Sequence, residues 1–194
     1  MSKDNSFIIE VMQRNIRVLI TGSPGAGKTT IIEGLKNKGY STFSEFSRSL
    51  IQDAKIKGIT DFFLSDPFKF SQKLLEERKK QFHNSESIIK AKGKIVFFDR
   101  GIHDIYAYLK AIGKKAPEIK TQIYSFKYDL VFLLDPWEEI FKKDNERLES
   151  FEEAENYYVH IKKVYNKQHK VIKVPQSSIN ERIFFIESFF KQNG

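Results

Sequence analysis

Residues 22–29 read Gly22-Ser23-Pro24-Gly25-Ala26-Gly27-Lys28-Thr29, a fit to G-x-x-x-x-G-K-[ST], the spacing with which a glycine-rich turn wraps a polyphosphate. Small residues let the backbone curl with several N–H groups aimed at one centre, and a helix beginning near Lys28 adds the positive end of its dipole. In such a loop Lys28 would reach the terminal phosphates and the Thr29 hydroxyl would ligate Mg²⁺, with Thr30 completing the nucleotide-binding run. The alternative is a surface turn carrying an ordinary lysine. A buried strand before the loop and an amphipathic helix after it favour the phosphate site.

Such a site needs a carboxylate at the end of a neighbouring buried strand to orient the metal. Asp99 closes the run Ile95-Val96-Phe97-Phe98 and is followed by Arg100-Gly101. Asp135 closes a similar run from Leu130, but Pro136 follows it, and Asp135 is equally a helix cap. Asp99 is preferred because a carboxylate and a guanidinium at one strand end suit phosphate chemistry, with Arg100 placed to hold a substrate anion.

The elements that must position these groups follow from hydrophobic period. Short apolar, β-branched or aromatic runs at 17–21, 40–44, 94–98, 130–134 and 171–174 alternate with longer helical stretches, which predicts βαβ units and a parallel sheet. Helices are expected at 28–38, where Ile31, Ile32 and Leu35 share a face and Gly39 is the stop, and at 45–57 before Gly58. Further helices are expected from Asp66-Pro67 almost to Lys92, and at 104–112, 117–126, 151–168 and 179–191. No repeat, low-complexity tract or linker interrupts this pattern, so residues 1–194 are read as one domain.

Composition narrows the function class. The chain has 194 residues, 33 Lys+Arg against 25 Asp+Glu for a net charge of +8, 40% hydrophobic residues and no cysteine. Disulfide scaffolds and Cys-ligated zinc or iron–sulfur centres are therefore excluded. Its four histidines form no close set with acids, which speaks against a zinc site. The longest apolar runs are far shorter than the ~18 residues a spanning helix needs, and no secretory pattern follows Phe7-Ile8-Ile9, so a cytoplasmic location is expected. The positive excess is spread over residues 1–120 in short clusters such as Arg78-Lys79-Lys80. That reads as a solvated face rather than a specific nucleic-acid surface.

The phosphate loop followed by Asp99-Arg100 resembles the P-loop kinases of nucleosides and nucleotides. More closely, the chain is similar to the small predicted-ATPase family described as an AAA domain, related to the ribosylnicotinamide-kinase domain of NadR-type proteins. The matching stretches are 21–30, Ser44-Glu45-Phe46-Ser47-Arg48, Phe98-Asp99-Arg100-Gly101, 132–137, 145–153, Val174-Pro175 and Glu181-Arg182. The resemblance implies a three-layer α/β/α P-loop NTPase with a five-stranded parallel sheet in the order 2-3-1-4-5. It implies a nucleotide, ATP with GTP open, together with Mg²⁺ and a small-molecule acceptor.

Residue by residue, the resemblance puts Glu45 and Arg48 across the cleft from the P-loop, where a carboxylate would take an acceptor proton and Arg48 would bind a substrate anion. The same two residues also suit a helix start bridged at i+3. A lid is implied near 142–155, with Arg147 closing on the transferring phosphate and Glu149 holding it; an acidic solvated face is the other reading. The turn after Val174-Pro175 would contact the base, although Ser178 with Glu181 has capping-box spacing. Phe62-Phe63-Leu64 and Trp137, in connections, either line the acceptor pocket or form a core satellite. The tyrosines of the 151–168 helix are read as core. No Asn-Lys-x-Asp guanine reader occurs, which favours ATP. A regulatory ATPase or GTPase acting through a protein or phospholipid partner is the alternative activity, because related eukaryotic members are linked to GTP and phospholipid binding.

Overall fold

The computed structural model describes residues 16–60, 62–92, 95–141 and 149–190. Five strands, β1 (Ile16–Gly22), β2 (Ser41–Phe43), β3 (Ile95–Asp99), β4 (Leu130–Leu134) and β5 (Val171–Val174), form one sheet in the order β2-β3-β1-β4-β5. Every pairing is parallel, with Val18 opposite both Phe97 and Leu130. The chain leaves β1 toward the β3–β2 side and leaves β3 toward the β4–β5 side. Their carboxyl ends therefore part at a switch point, where open α/β sheets hold their ligands.

The strands are apolar runs because both faces are covered. On one face Leu19, Val96, Phe98, Val131 and Leu133 pack under α2 (Ser47–Ile56), α3 (Phe62–Ser65), α4 (Pro67–Lys92), α5 (Ile102–Ala111), α6 (Pro117–Ile123) and α7 (Phe151–Tyr165). On the other, Val18, Ile20, Phe97, Leu130, Phe132 and Leu134 pack under α1 (Lys28–Asn37) and α8 (Ile179–Glu187). The three layers and the strand order are those expected from the sequence.

Boundaries differ where local chemistry intervenes. α2 begins at Ser47, not Glu45, because Glu45 is drawn into ion pairs described below. α5 begins at Ile102, two residues early, since Asp104 accepts the Gly101 N–H at 2.9 Å and so caps from inside the helix. α4 starts as expected, with Asp66 accepting the Lys69 N–H at 3.0 Å. Pro136 opens no α-helix; only a 3₁₀ turn, Glu138–Ile140, follows. The short α3 was not expected, and it buries Phe62. Residues 142–148, which contain Arg147 and most of the expected lid, lie outside the described residues. The rest of that stretch enters α7, whose Ser150 and Glu153 form a capping box. No helix among the described residues is long and apolar enough to cross a membrane.

Candidate nucleotide and acceptor site

The loop after β1 has the backbone a phosphate cradle requires, with Gly22, Gly25 and Gly27 all at positive φ. Gly22 has a further reason to be glycine: a β-carbon there would run into the Leu134 carbonyl of β4. Ser23 N–H donates to that carbonyl at 3.1 Å and its hydroxyl donates to Ala154 O on α7 at 3.1 Å, so the loop is tied to two elements. Arg182 of α8, itself buried, donates to Ala26 O at 2.5 Å and lies over the Trp137 ring. The equivalence of positions 181–182 was legible in sequence only as a motif; its contact with the loop was not.

Lys28 Nζ donates to the carbonyls of Ser23 and Gly22 at 2.6 and 3.2 Å. Burial, and then the nearby Arg100 guanidinium, lower its pKa to about 7; a polyphosphate would restore its charge. Thr29 Oγ1 donates to Asp99 Oδ2 at 2.9 Å, which brings together the two side chains expected to hold Mg²⁺. Asp99 Oδ1 is buried and has no hydrogen-bond partner. Burial, and then repulsion from Glu45, raise the Asp99 pKa to about 6. A hydroxyl and a carboxylate with an unsatisfied buried oxygen are the hard oxygen donors that suit Mg²⁺ beside a nucleotide. Asp135, the rival, is spent elsewhere: it accepts from Tyr158 OH at 2.5 Å and pairs with Lys173.

One cavity of about 640 Å³ is lined both by the phosphate loop and by Glu45, Arg48, Arg78 and Arg100. In this arginine-lined part, one Glu45 carboxylate oxygen is 3.0 Å from Arg78 Nη2 and the other is paired with Arg100 Nε. Burial alone would favour its neutral form, but Arg100, Arg78 and Lys28 together hold its pKa down to about 2. Its ionised carboxylate balances the charges of Arg78 and Arg100. Arg48, Tyr157 and Glu149 line the same space, and Ile51, Phe63, Phe70, Leu74, Ile105 and Tyr108 make its apolar end. Tyr108 OH donates to Phe63 O at 2.7 Å, fixing α3 as a wall.

Gly22 to Thr30, Glu45, Arg48, Asp99 and Arg100 thus converge on the switch point, while Arg147 falls outside the described residues. Three contributors were missed. Arg78 reads in sequence as part of a basic cluster with Lys79 and Lys80, although it stands four residues from both Leu74 and Phe82 and so shares their inward face. Tyr157, read as core, does pack against it and also lines the cavity. Asp104 gave no signal beyond its position in a helix. Among the described residues no cluster of three or more His, Cys, Asp or Glu could hold a metal by itself.

A glycine-rich phosphate loop between β1 and α1, with a carboxylate at the end of the adjacent β3, defines the P-loop α/β class. Within it, the family model described as an AAA domain matches residues 17–182, and the chain belongs to that family. None of the curated proteins matches the sequence. Among solved structures, deoxyadenosine kinase from M. mycoides is similar at 19% identity over 89% of this chain and 97% of that one, with a TM-score of 0.66. Thymidylate kinase from Candida albicans is similar at 19% identity over 90% of each, with a TM-score of 0.67. NadR in complex with NAD and AMP-PNP matches at 17% identity and a TM-score of 0.62, over 94% of this chain and 51% of that one. The fold is that of P-loop nucleoside and nucleotide kinases.

Proposed function

We propose that the chain is a single kinase-like unit, acting in the cytoplasm as an ATP-using, Mg²⁺-dependent kinase of a small molecule, with phosphoryl transfer to a hydroxyl or phosphate of the acceptor. The observation that carries this reading is that the phosphate loop shares one cavity with Glu45, Arg48, Arg78 and Arg100. A nucleotide switch needs the loop and has no use for the arginine-lined part. The kinase neighbours support the reading at the level of fold.

In this reading the loop amides and the α1 N-terminus bind the polyphosphate, and Lys28 leaves its carbonyl partners to contact the terminal phosphates. Thr29 and Asp99 would hold Mg²⁺, which supplies neutralisation of the phosphate oxygens when bound. Arg100, and Arg48 beside it, orient the acceptor and balance charge developing on the transferred group, while Glu45 keeps Arg100 in place. The acceptor body rests against Phe63, Phe70 and Tyr108, which also keep water from the transfer path.

The test compares nucleotide consumption by wild type with and without a panel of nucleosides, nucleotides, nucleotide precursors and polyols, with Lys28→Ala as the blank and products identified by mass. Acceptor-dependent ADP formation with a phosphorylated product is expected. Tight nucleotide binding with slow turnover that no acceptor changes would sink the kinase reading in favour of a regulatory NTPase working through a partner.

A further inference from the structure

Asp104, in the first turn of α5, is 1% exposed, and no role in nucleotide or acceptor chemistry falls to it directly. Its Oδ1 accepts from Thr21 Oγ1 of β1 at 2.6 Å. Its Oδ2 accepts from the Gly101 N–H at 2.9 Å and from the Tyr165 hydroxyl of α7 at 2.6 Å. Arg100 Nη1 stands 3.5 Å from Oδ1. Four donors from two elements and one turn thus meet on a single buried carboxylate. A residue that merely capped α5 would need only the Gly101 amide and would sit in solvent.

What these bonds surround is a backbone oddity. Arg100 has φ +66°, alone among the described non-glycine residues in being positive, a conformation disfavoured for a residue with a β-carbon. Its N–H donates to Ile20 O at 3.0 Å, and the next amide, that of Gly101, is held by Asp104. Gly101 has no room for a β-carbon, because the Tyr165 hydroxyl passes there on its way to Asp104. Strain of this kind persists where the surroundings over-determine it, and it clusters at functional sites. The turn directs the Arg100 side chain to Glu45 and toward the Tyr157 ring, inside the cavity.

We infer that Asp104 is the positioning residue for Arg100: by fixing the Gly101 amide and pairing with the guanidinium it holds the acceptor-side arginine in the cavity. Through Thr21 and Tyr165 it also ties that arginine to the strand leading into the phosphate loop and to α7. The inference rests on the arginine-lined part of the cavity being the acceptor site. The carboxylate accepts from every one of these neighbours. An asparagine that keeps its oxygen on the Gly101 N–H and Tyr165 turns its N–H₂ toward Thr21, whose hydroxyl can accept it, and toward the Arg100 guanidinium, which cannot.

The experiment is a double-mutant cycle of Asp104→Asn with Arg100→Ala in the full chain, read by acceptor kinetics, nucleotide affinity and thermal unfolding. The Arg100 Nε–H proton resonance, assigned by its loss in Arg100→Ala, is followed in parallel. Asp104→Asn is expected to lower acceptor kcat/KM by roughly tenfold to a hundredfold, with nucleotide Kd changed less than about threefold. That loss should vanish in the Arg100→Ala background, and the Nε–H signal should shift or broaden. Equal losses in both backgrounds, parallel loss of nucleotide affinity, or an unmoved Nε–H signal would overturn the inference and leave Asp104 a stabilising residue. If Asp104→Asn does not fold, Thr21→Val and Tyr165→Phe each remove one donor and should give smaller losses coupled to Arg100 in the same way. Should wild type show no acceptor-dependent product, the kinase reading fails on its own, and the Nε–H resonance alone decides whether Asp104 holds Arg100.

Discussion

At the scale of single residues, sterics and charge can be separated. Gly22 and Gly39 both hold positive φ, at 135° and 91°, but a β-carbon on Gly22 would overlap the Leu134 carbonyl while one on Gly39 meets nothing within 4 Å. Gly39→Ala should therefore cost only the backbone term, about 1 kcal/mol. Gly22→Ala should cost that plus displacement of β4, roughly 3 kcal/mol or more. Urea unfolding of the two variants measures the difference, and equal costs would show that the loop gives way without moving β4. Asp99 provides a test of charge. Its unpartnered Oδ1 and its bond to Thr29 predict that Asp99→Asn abolishes the Mg²⁺-dependent part of nucleotide affinity. Affinity measured in chelator should stay within about threefold of wild type, because the loop amides and Lys28 carry it. Titration with and without the metal reads both quantities.

At the scale of elements, α4 is the beam on which the arginine-lined part of the cavity hangs. Its inward face runs Phe70, Leu74, Arg78 and Phe82, each four residues from the last, and Arg78 is as buried as its apolar neighbours. One amino group of Arg78 donates to Gly101 O at 2.9 Å and the other to Glu45 at 3.0 Å. The helix thereby pins the segment after β2 and the turn after β3 together. Arg78→Met should leave Glu45 with one arginine instead of two and destabilise the fold by about 3 kcal/mol. Arg78→Lys should recover little, since a single ammonium cannot span both acceptors; chemical denaturation of the pair checks this. The same helix shows what sequence can and cannot disclose. Its existence, its Asp66-Pro67 start and its apolar stripe were legible, because capping and helical period are local. Partners drawn from the Glu45 carboxylate and the Gly101 carbonyl are set by sheet order, which no local pattern encodes. The phosphate loop and Asp99 were legible for the converse reason: loop, strand and following helix are contiguous, and Asp99 needs only the register of β3 against β1.

At the scale of the whole molecule, acid should act first through a histidine pair. His103 of α5 and His169, just beyond α7, pack ring to ring with centroids 4.8 Å apart. His169 Nε2 accepts the Tyr128 N–H at 3.2 Å, and the Nδ1 atoms of both rings are buried without partners. Burial, and then the neighbouring His169, lower the His103 pKa to about 3; burial lowers that of His169 to about 4. Both are therefore neutral in the folded chain while the unfolded chain takes up protons near pH 6.5, so stability falls as pH drops below that value. At pH 5 each histidine costs roughly 2 kcal/mol. Asp99 works in the opposite sense: its raised pKa lets the folded chain bind a proton before the unfolded one, returning roughly 1.5 kcal/mol at pH 5 without metal. Glu45 contributes stability that is lost only below about pH 4.5, as the unfolded chain and then the folded one protonate. The net expectation, in metal-free buffer, is a decline of roughly 2–3 kcal/mol from pH 7 toward pH 5, and above pH 7 a further gain with rising pH, because Lys28 is held neutral in the folded chain while the unfolded chain keeps its proton. In His103→Phe the slope between pH 6 and 5 should be shallower by about one proton, near 1.4 kcal/mol per pH unit. The aromatic ring remains, and Gln168 keeps its bond to Phe126 O at 2.9 Å. An unchanged slope in that variant, measured by urea unfolding across the range, would move the acid sensitivity from the histidine pair to the carboxylates of the site.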